Sequence, residues 1–307
     1  MLTRLVCFGV SMVSKYLSAP AIMFVLVAAT PASAIEISAL VGLATDSAAS
    51  LEDLAPGAQS RSGESDFLQE LEFGISGMPT NELTLSYDFN AENYSDYSEN
   101  SSSTHGVSGR WNRDIGDWSY GVSVDYLDMS LDGNDYLDMT MFTPSISLFS
   151  GKNFLMANAL FQDKSFDEYS EFDAELAQYS FLAIRFFNGY KSNINVNFSI
   201  AEEDAQSNTY DYDEDKITFG VSHKFSIGAR KYRGRFNYEI RSRDYTKVTN
   251  SDVRSKEDRD RFRLRLSTDV SENTEIEFEF DHKDREADIA TSAYDSQSLA
   301  MRFKYRR

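Results

Sequence analysis

From Tyr232 to Ile240 the even positions carry Tyr232, Gly234, Phe236, Tyr238 and Ile240, while Arg233, Arg235, Asn237, Glu239 and Arg241 occupy the odd ones. A period of two places these sets on opposite faces of an extended strand, one greasy and one charged. The alternation returns over 83–89, 118–126, 194–200, 217–227, 262–270, 276–280 and 299–305. No helical stripe of comparable length interrupts it, so the chain reads as all-β.

The connections narrow the architecture. Short ones, "SGMPTN", "RDIGD", "SGKN", "NGYKS", "IGARK" and "SENT", alternate with long polar ones over 45–66, 90–105, 162–175, 201–215, 242–258 and 284–297. A soluble sandwich has no reason to sort its loops this way, whereas a chain passing up and down a membrane has one. The prediction is a transmembrane antiparallel up-and-down β-barrel over 35–307, of about 14 strands (roughly 12–16), with short periplasmic turns and long acidic extracellular loops. Lipid then takes the place of the missing core, and the charged faces line a lumen.

Aromatic residues gather beside the short turns. Trp111, Trp118, Phe149, Phe154, Tyr190 and Tyr232 are expected to form a periplasmic girdle at headgroup level. Three segments, "MTMFTPSISLF", "FLMANALF" and "AELAQYSFLAIRFF", are apolar on both faces. Their inner faces meet an inward-folded loop, a plug or a second subunit, and the pattern does not choose among these.

The first 34 residues read as an export signal: an apolar run, Ala21 to Ala29, then Ala32-Ser33-Ala34, with Arg4 and Lys15 in front. The run is too short for a membrane-spanning helix, which needs about 20 residues. Cleavage would start the mature chain at Ile35, with Met12 an alternative point of initiation. The single cysteine, Cys7, lies in that leader, so the mature chain makes neither a disulfide nor a thiolate metal site. Loss of Arg4 and Lys15 lowers the formal net charge of −19 by two, to −21, which excludes nucleic acid as a partner. The expected location is the outer membrane of a Gram-negative bacterium. The expected partners are outer-membrane lipid, the barrel-assembly machinery and small hydrophilic solutes.

Candidate chemistry is sparse. Of the three histidines, His105 lies near the end of a long connection, while His223 and His282 fall on the apolar phase. Ser222 adjoins His223, but neighbouring strand residues point to opposite faces, so no Ser-His pair forms there and no catalysis is expected. Asp211, Asp213 and Asp215 resemble the opening of a calcium loop, yet Lys216 and Ser222 stand where a glycine and a glutamate are needed. A solvated acidic loop is the reading, with weak divalent-cation binding as its alternative; no cofactor is expected.

The stronger constellation is in the lumen. Lys224, Arg233, Arg235, Arg241, Arg263, Arg265, Arg302 and Lys304 form basic rows facing an acidic row of Glu239, Glu275, Glu277, Glu279 and Asp281. These rows serve either as a self-neutralising brace or as a selectivity surface.

The stretches "RGRFNYEIRSRDY", "RSKEDRDRFRLRLSTDV", "NTEIEFEFDHKDREAD" and "YDSQSLAMRFKYRR" resemble the barrel of the surface lipoprotein assembly modifier family. This chain shows none of that family's helical-repeat domain. Its length and strand number are similar to those of small monomeric porins. The porin resemblance implies a passive channel for small hydrophilic or anionic solutes, and the other implies a surface-assembly or secretion barrel working with a periplasmic partner. A barrel hydrolase is the third reading. Such barrels end on an aromatic residue recognised during assembly; here Phe303 and Tyr305 would serve, followed by Arg306 and Arg307.

Overall fold

A computed structural model describes residues 35–46, 66–245, 256–287 and 293–307. The expected leader, with Arg4, Cys7 and Lys15, lies outside them, as do 47–65, 246–255 and 288–292 of the long connections.

The alternating segments form fourteen strands among the described residues: β1 (Ile35–Asp46), β2 (Asp66–Gly77), β3 (Leu83–Tyr94), β4 (Ser102–Ile115), β5 (Trp118–Leu131), β6 (Asn134–Ser150), β7 (Asn153–Phe166), β8 (Ala174–Phe187), β9 (Ser192–Ala205), β10 (Tyr212–Ile227), β11 (Arg230–Asp244), β12 (Lys256–Asp269), β13 (Thr274–Ala287) and β14 (Tyr294–Arg306). Each pairs antiparallel with its chain neighbours, and β1 pairs with β14, closing the barrel. Closure leaves no free edge, which hydrocarbon would not tolerate.

Burial along each strand is the inverse of a soluble protein's. Val41, Val124, Leu264 and Leu299 are 54%, 52%, 50% and 60% exposed, whereas Glu257 and Glu277 are 1% and 2% exposed. The greasy phase covers the outside and the charged phase the inside, as a lipid-embedded barrel requires.

At one end, here the turn end, residues 78–82, 116–117, 151–152, 188–191, 228–229 and 270–273 connect the strands. At the other, the loop end, the described connections are shorter than expected. The strands run on into them and leave only 95–101, 167–173 and 206–211 as described loops. The alternation of short and long connections also fails once. β5 and β6 are joined at the loop end by Asp132 and Gly133 alone, at φ 49° and 75°. Two consecutive left-handed residues make the tight turn that an Asp-Gly pair favours.

The three described loops share one construction. Each contains a single 3-10 turn: Ser98–Asn100, Ser170–Phe172 and Asn208–Tyr210. In each, the residue before the returning strand accepts a hydrogen bond from the last N–H of the outgoing one: Ser101 from Tyr94 at 3.1 Å, Asp173 from Phe166 at 2.7 Å, Asp211 from Ala205 at 2.8 Å. The Asp66 carboxylate adds the amides of Asp96 and Tyr97 across the neighbouring strand pair. Short polar side chains thus supply the backbone acceptors that the ladder no longer provides.

The segments that are apolar on both faces are resolved by height. Toward the loop end, Met129, Leu137, Met139 and Phe166 are buried together with Tyr136, and Phe172 of loop 167–173 packs against them. The inward-folded loop among the earlier alternatives therefore covers this half. Toward the turn end, Phe154, Met156, Leu182, Ile184 and Phe186 of β7 and β8 lie on the lumen face and stay half-buried.

Candidate functional site: the lumen wall

The inward phase of β10 to β14 assembles every expected basic and acidic residue on one wall. Cross-strand register pairs Lys224 with Arg233, Arg235 with Arg265, Arg263 with Asp281, Arg265 with Glu279, and Lys304 with Glu275. Antiparallel geometry keeps such pairs about 5 Å apart, within reach of long side chains.

Most of this wall neutralises itself. Glu257 accepts hydrogen bonds from Arg241 and Arg285, each at 2.6 Å, with all three side chains buried. Arg243 binds Glu214 at 2.7 Å and lies 4.4 Å from the Tyr212 ring centroid; Arg259 binds Glu239 at 2.7 Å. Asp281 is shared by Arg261 and Arg263, and Glu279 by Arg265 and Arg302. Lys304 takes Glu277 at 2.7 Å, while Glu275 stands apart at the turn end. Of the expected residues, Arg241, Arg263, Arg265, Arg302 and Lys304 are thus held by carboxylates, as are Glu239, Glu277, Glu279 and Asp281 by cations.

Lys224, Arg233 and Arg235 are different. Among the described residues, none of their side chains meets a carboxylate or a hydrogen-bond acceptor, and the Arg233 Nε is buried without a partner. Lys191 and Lys231 join them at the turn end. A cavity of about 600 Å³ is lined there by Lys191, Lys224, Lys231 and Arg233, with Asp269 and Glu275. Cations outnumber acids four to two, and Arg235 adjoins the group through its register with Ser222.

The aromatic girdle is partly displaced. Trp111 and Trp118 point outward, 38% and 45% exposed, and Tyr232 stacks with Phe225 on the same outer phase. Phe149 and Phe154 instead pair on the inner phase, between Ser147 and Met156. Phe149 packs with Phe186 and Tyr190 into an aromatic cluster at the turn end. Position beside a short turn did not decide the face here, because both phases of β6 and β7 are apolar. Tyr190 holds a left-handed φ of 67° while its hydroxyl donates to the Gly151 carbonyl at 2.9 Å. Those contacts pin a conformation that a bulky residue avoids.

The histidines all face outward. His105 sits within β4 instead of a loop, with its Nδ1 2.8 Å from the Tyr87 hydroxyl. His223 Nδ1 lies 2.8 Å from Ser192 Oγ, and His282 Nδ1 lies 3.3 Å from Asp295. Ser222 points to the lumen, away from His223. The acidic triplet does not converge either. Asp211 is spent on the Ala205 amide, while Asp213 and Asp215 lie exposed on the outer phase, and no metal-binding group occurs among the described residues.

Pattern reading missed Glu70, Glu214, Glu257, Arg259, Arg261, Arg285, Lys191 and Lys231. Six lie on inward phases of strands whose ends were assigned to long loops or to a strand not recognised. Extending the period of two outward along β10, β12 and β13 reaches Glu214, Glu257, Arg259, Arg261 and Arg285, while Glu70 needed the alternation of β2 to be seen.

A closed barrel with an apolar exterior and a charged, largely ion-paired interior has the fold and the surface chemistry of a bacterial outer-membrane β-barrel. No known protein family and no curated protein is matched by the sequence. Solved structures do match in shape. A bacterial polysaccharide outer membrane secretin aligns with TM-score 0.54 at 7% identity, over 88% of this chain and 98% of that one. A loop-deletion mutant of OmpT, an outer membrane protein of Vibrio cholerae, aligns with TM-score 0.52 at 8% identity, over 89% and 99%. The outer membrane channel DcaP of Acinetobacter baumannii aligns with TM-score 0.52 at 10% identity, over 91% and 99%. At such identities the likeness establishes the fold alone.

Proposed function

We propose that this barrel is a passive outer-membrane channel for small hydrophilic solutes, with a preference for anions, its loop end outside and its turn end facing the periplasm. The observation that carries the reading is the division of the charged wall. Along β12 to β14, and toward the loop end of β10 and β11, the cations are matched by carboxylates and brace the barrel; around the turn end of β9 to β11, Lys191, Lys224, Lys231, Arg233 and Arg235 meet no carboxylate among the described residues. An unpaired charge beside an aqueous path sets a potential for what passes, whereas a paired one does not.

Reconstitution in a planar bilayer tests this. Steady ohmic steps are expected, with a reversal potential in a salt gradient showing anions ahead. Changing Arg233 and Arg235 to Gln should move it toward cations, less so at high salt, where screening shortens the reach of surface charge to about 3 Å at 1 M. A properly folded barrel that carries no current would instead point to the surface-assembly or secretion reading, and an unmoved reversal potential would make these residues structural.

A further inference from the structure

The same end of the lumen carries a feature that a channel for simple ions does not need. On the inner phase of β7 and β8, Phe154, Met156, Leu182, Ile184 and Phe186 form a half-buried apolar strip outside the cluster that loop 167–173 covers, with Phe149 and Tyr190 packed against its Phe186 end. Lumen-facing positions of a water-filled barrel are ordinarily polar, so a half-open strip of this size stays wetted at a cost unless something apolar visits it.

Its position relative to the cations is fixed by register. Phe186 pairs with Asn193 on β9, Asn193 with Ser222 on β10, and Ser222 with Arg235 on β11. Lys224 sits one inward position further toward the turn end, its amide bonded to the Lys191 carbonyl at 2.8 Å. Strands about 4.8 Å apart place the cations roughly 10 Å (β10) to 14 Å (β11) from the strip on β8. The intervening strand offers Asn193, Asn195 and Asn197, which hydrogen-bond without adding charge.

We infer that the turn-end lumen binds amphiphilic monocarboxylates, anions with an aromatic or alkyl body about 10 Å long. The carboxylate lies against Lys224 and Arg235 and the apolar body along Leu182, Ile184 and Phe186, spanning the asparagines of β9. A simple inorganic anion uses only the cationic half and a neutral hydrocarbon only the other. The inference names the solute class for the channel proposed above and rests on that reading for its biological meaning, but binding itself is measurable without current.

The barrel, folded and exchanged into amphipol, is titrated calorimetrically with 4-phenylbutyrate, acetate and 4-phenylbutanamide. Burying the phenylpropyl body should make 4-phenylbutyrate bind at least about tenfold more tightly than acetate. The uncharged amide should also lose about tenfold. Leu182→Asn with Ile184→Asn should erase the advantage over acetate, and Lys224→Gln with Arg235→Gln should erase the advantage over the amide. Retained heat-modifiable gel mobility certifies the fold of each variant. Should the first pair not fold, Phe186→Ser at the turn end of the strip replaces it. Equal, weak affinity for 4-phenylbutyrate and acetate overturns the inference even if the bilayer shows an anion-preferring channel. Variant-sensitive binding in a barrel that carries no current supports the site and overturns the channel.

Discussion

Arg302 on β14 reaches across β1 to grip both carboxylate oxygens of Glu70 on β2, at 2.5 and 2.8 Å. The crossing is open because Gly42 lies beneath: a Cβ there would run into the Glu70 carboxylate and come within 3.2 Å of the Arg302 side chain. The pair ties residues 232 apart in sequence over the line where the sheet closes on itself.

Replacing Glu70 with Ala should therefore destabilise the closed barrel. Breaking a fully buried pair costs about 3–5 kcal/mol; this pair is part-buried and Arg302 keeps Glu279 at 3.1 Å, so the loss should fall below that range, at about 1–3 kcal/mol. The temperature at which the heat-modifiable band shifts on a gel should fall. Gly42→Val should lower it too, by displacing the same pair.

Glu257→Gln removes the charge that Arg241 and Arg285 share. All three side chains are buried, so a loss of about 3–5 kcal/mol is expected. Glu275→Gln, at the turn end and facing solvent, should change stability by less than about 1 kcal/mol. Denaturant unfolding followed by tryptophan fluorescence compares the two; equal effects would mean the inner network is not a brace.

Arg263→Gln and Arg265→Gln should shift ion selectivity little and stability more, the reverse of Arg233→Gln and Arg235→Gln. The former contact Asp281 and Glu279, the latter no carboxylate among the described residues. Paired measurements of reversal potential and melting on the same four variants decide the matter.

Tyr190→Phe deletes the hydrogen bond to the Gly151 carbonyl while keeping the stack on Phe149. A loss of about 0.5–1.5 kcal/mol is expected in unfolding experiments.

Because the Asp211 carboxylate accepts from the Ala205 amide, calcium should not alter the melting of the solubilised barrel. Asp211→Ala should lower it by about 1 kcal/mol, with Asp211→Asn closer to the parent. A calcium-dependent rise in melting temperature would restore the cation-loop reading.

The fold was legible because alternation is a property of one strand at a time. "RGRFNYEIRSR" and "TEIEFEF" each declare their faces without reference to a partner. Where both phases are apolar, as in β6 to β8, the local signal vanishes, and Phe149 and Phe154 took the wrong face. The loops were misjudged for a related reason. Runs of Asp and Glu read as loop, yet the ladder continues through them: β9 and β10 extend into "AEEDA" and "YDED", with Glu203 and Glu214 on the inner phase and Asp204, Asp213 and Asp215 exposed on the outer one. Which arginines are neutralised was hidden altogether, since it depends on register across several strands: Glu70 and Arg302 meet only after closure.

The strands are unequal in length, and this bears on the bilayer around them. β3 has 12 residues and β6 has 17. At about 3.3 Å per residue and a tilt near 40°, β3 stands roughly 30 Å high and β6 roughly 43 Å. The outward residues of β6 are apolar from Phe142 to Leu148 and polar at Thr140 and Asp138, so the added height belongs to its loop-end half and not to the greasy band. In a bilayer fitted to that band the β5–β6 hairpin projects beyond the hydrocarbon, a polar rim raised on one flank of the mouth.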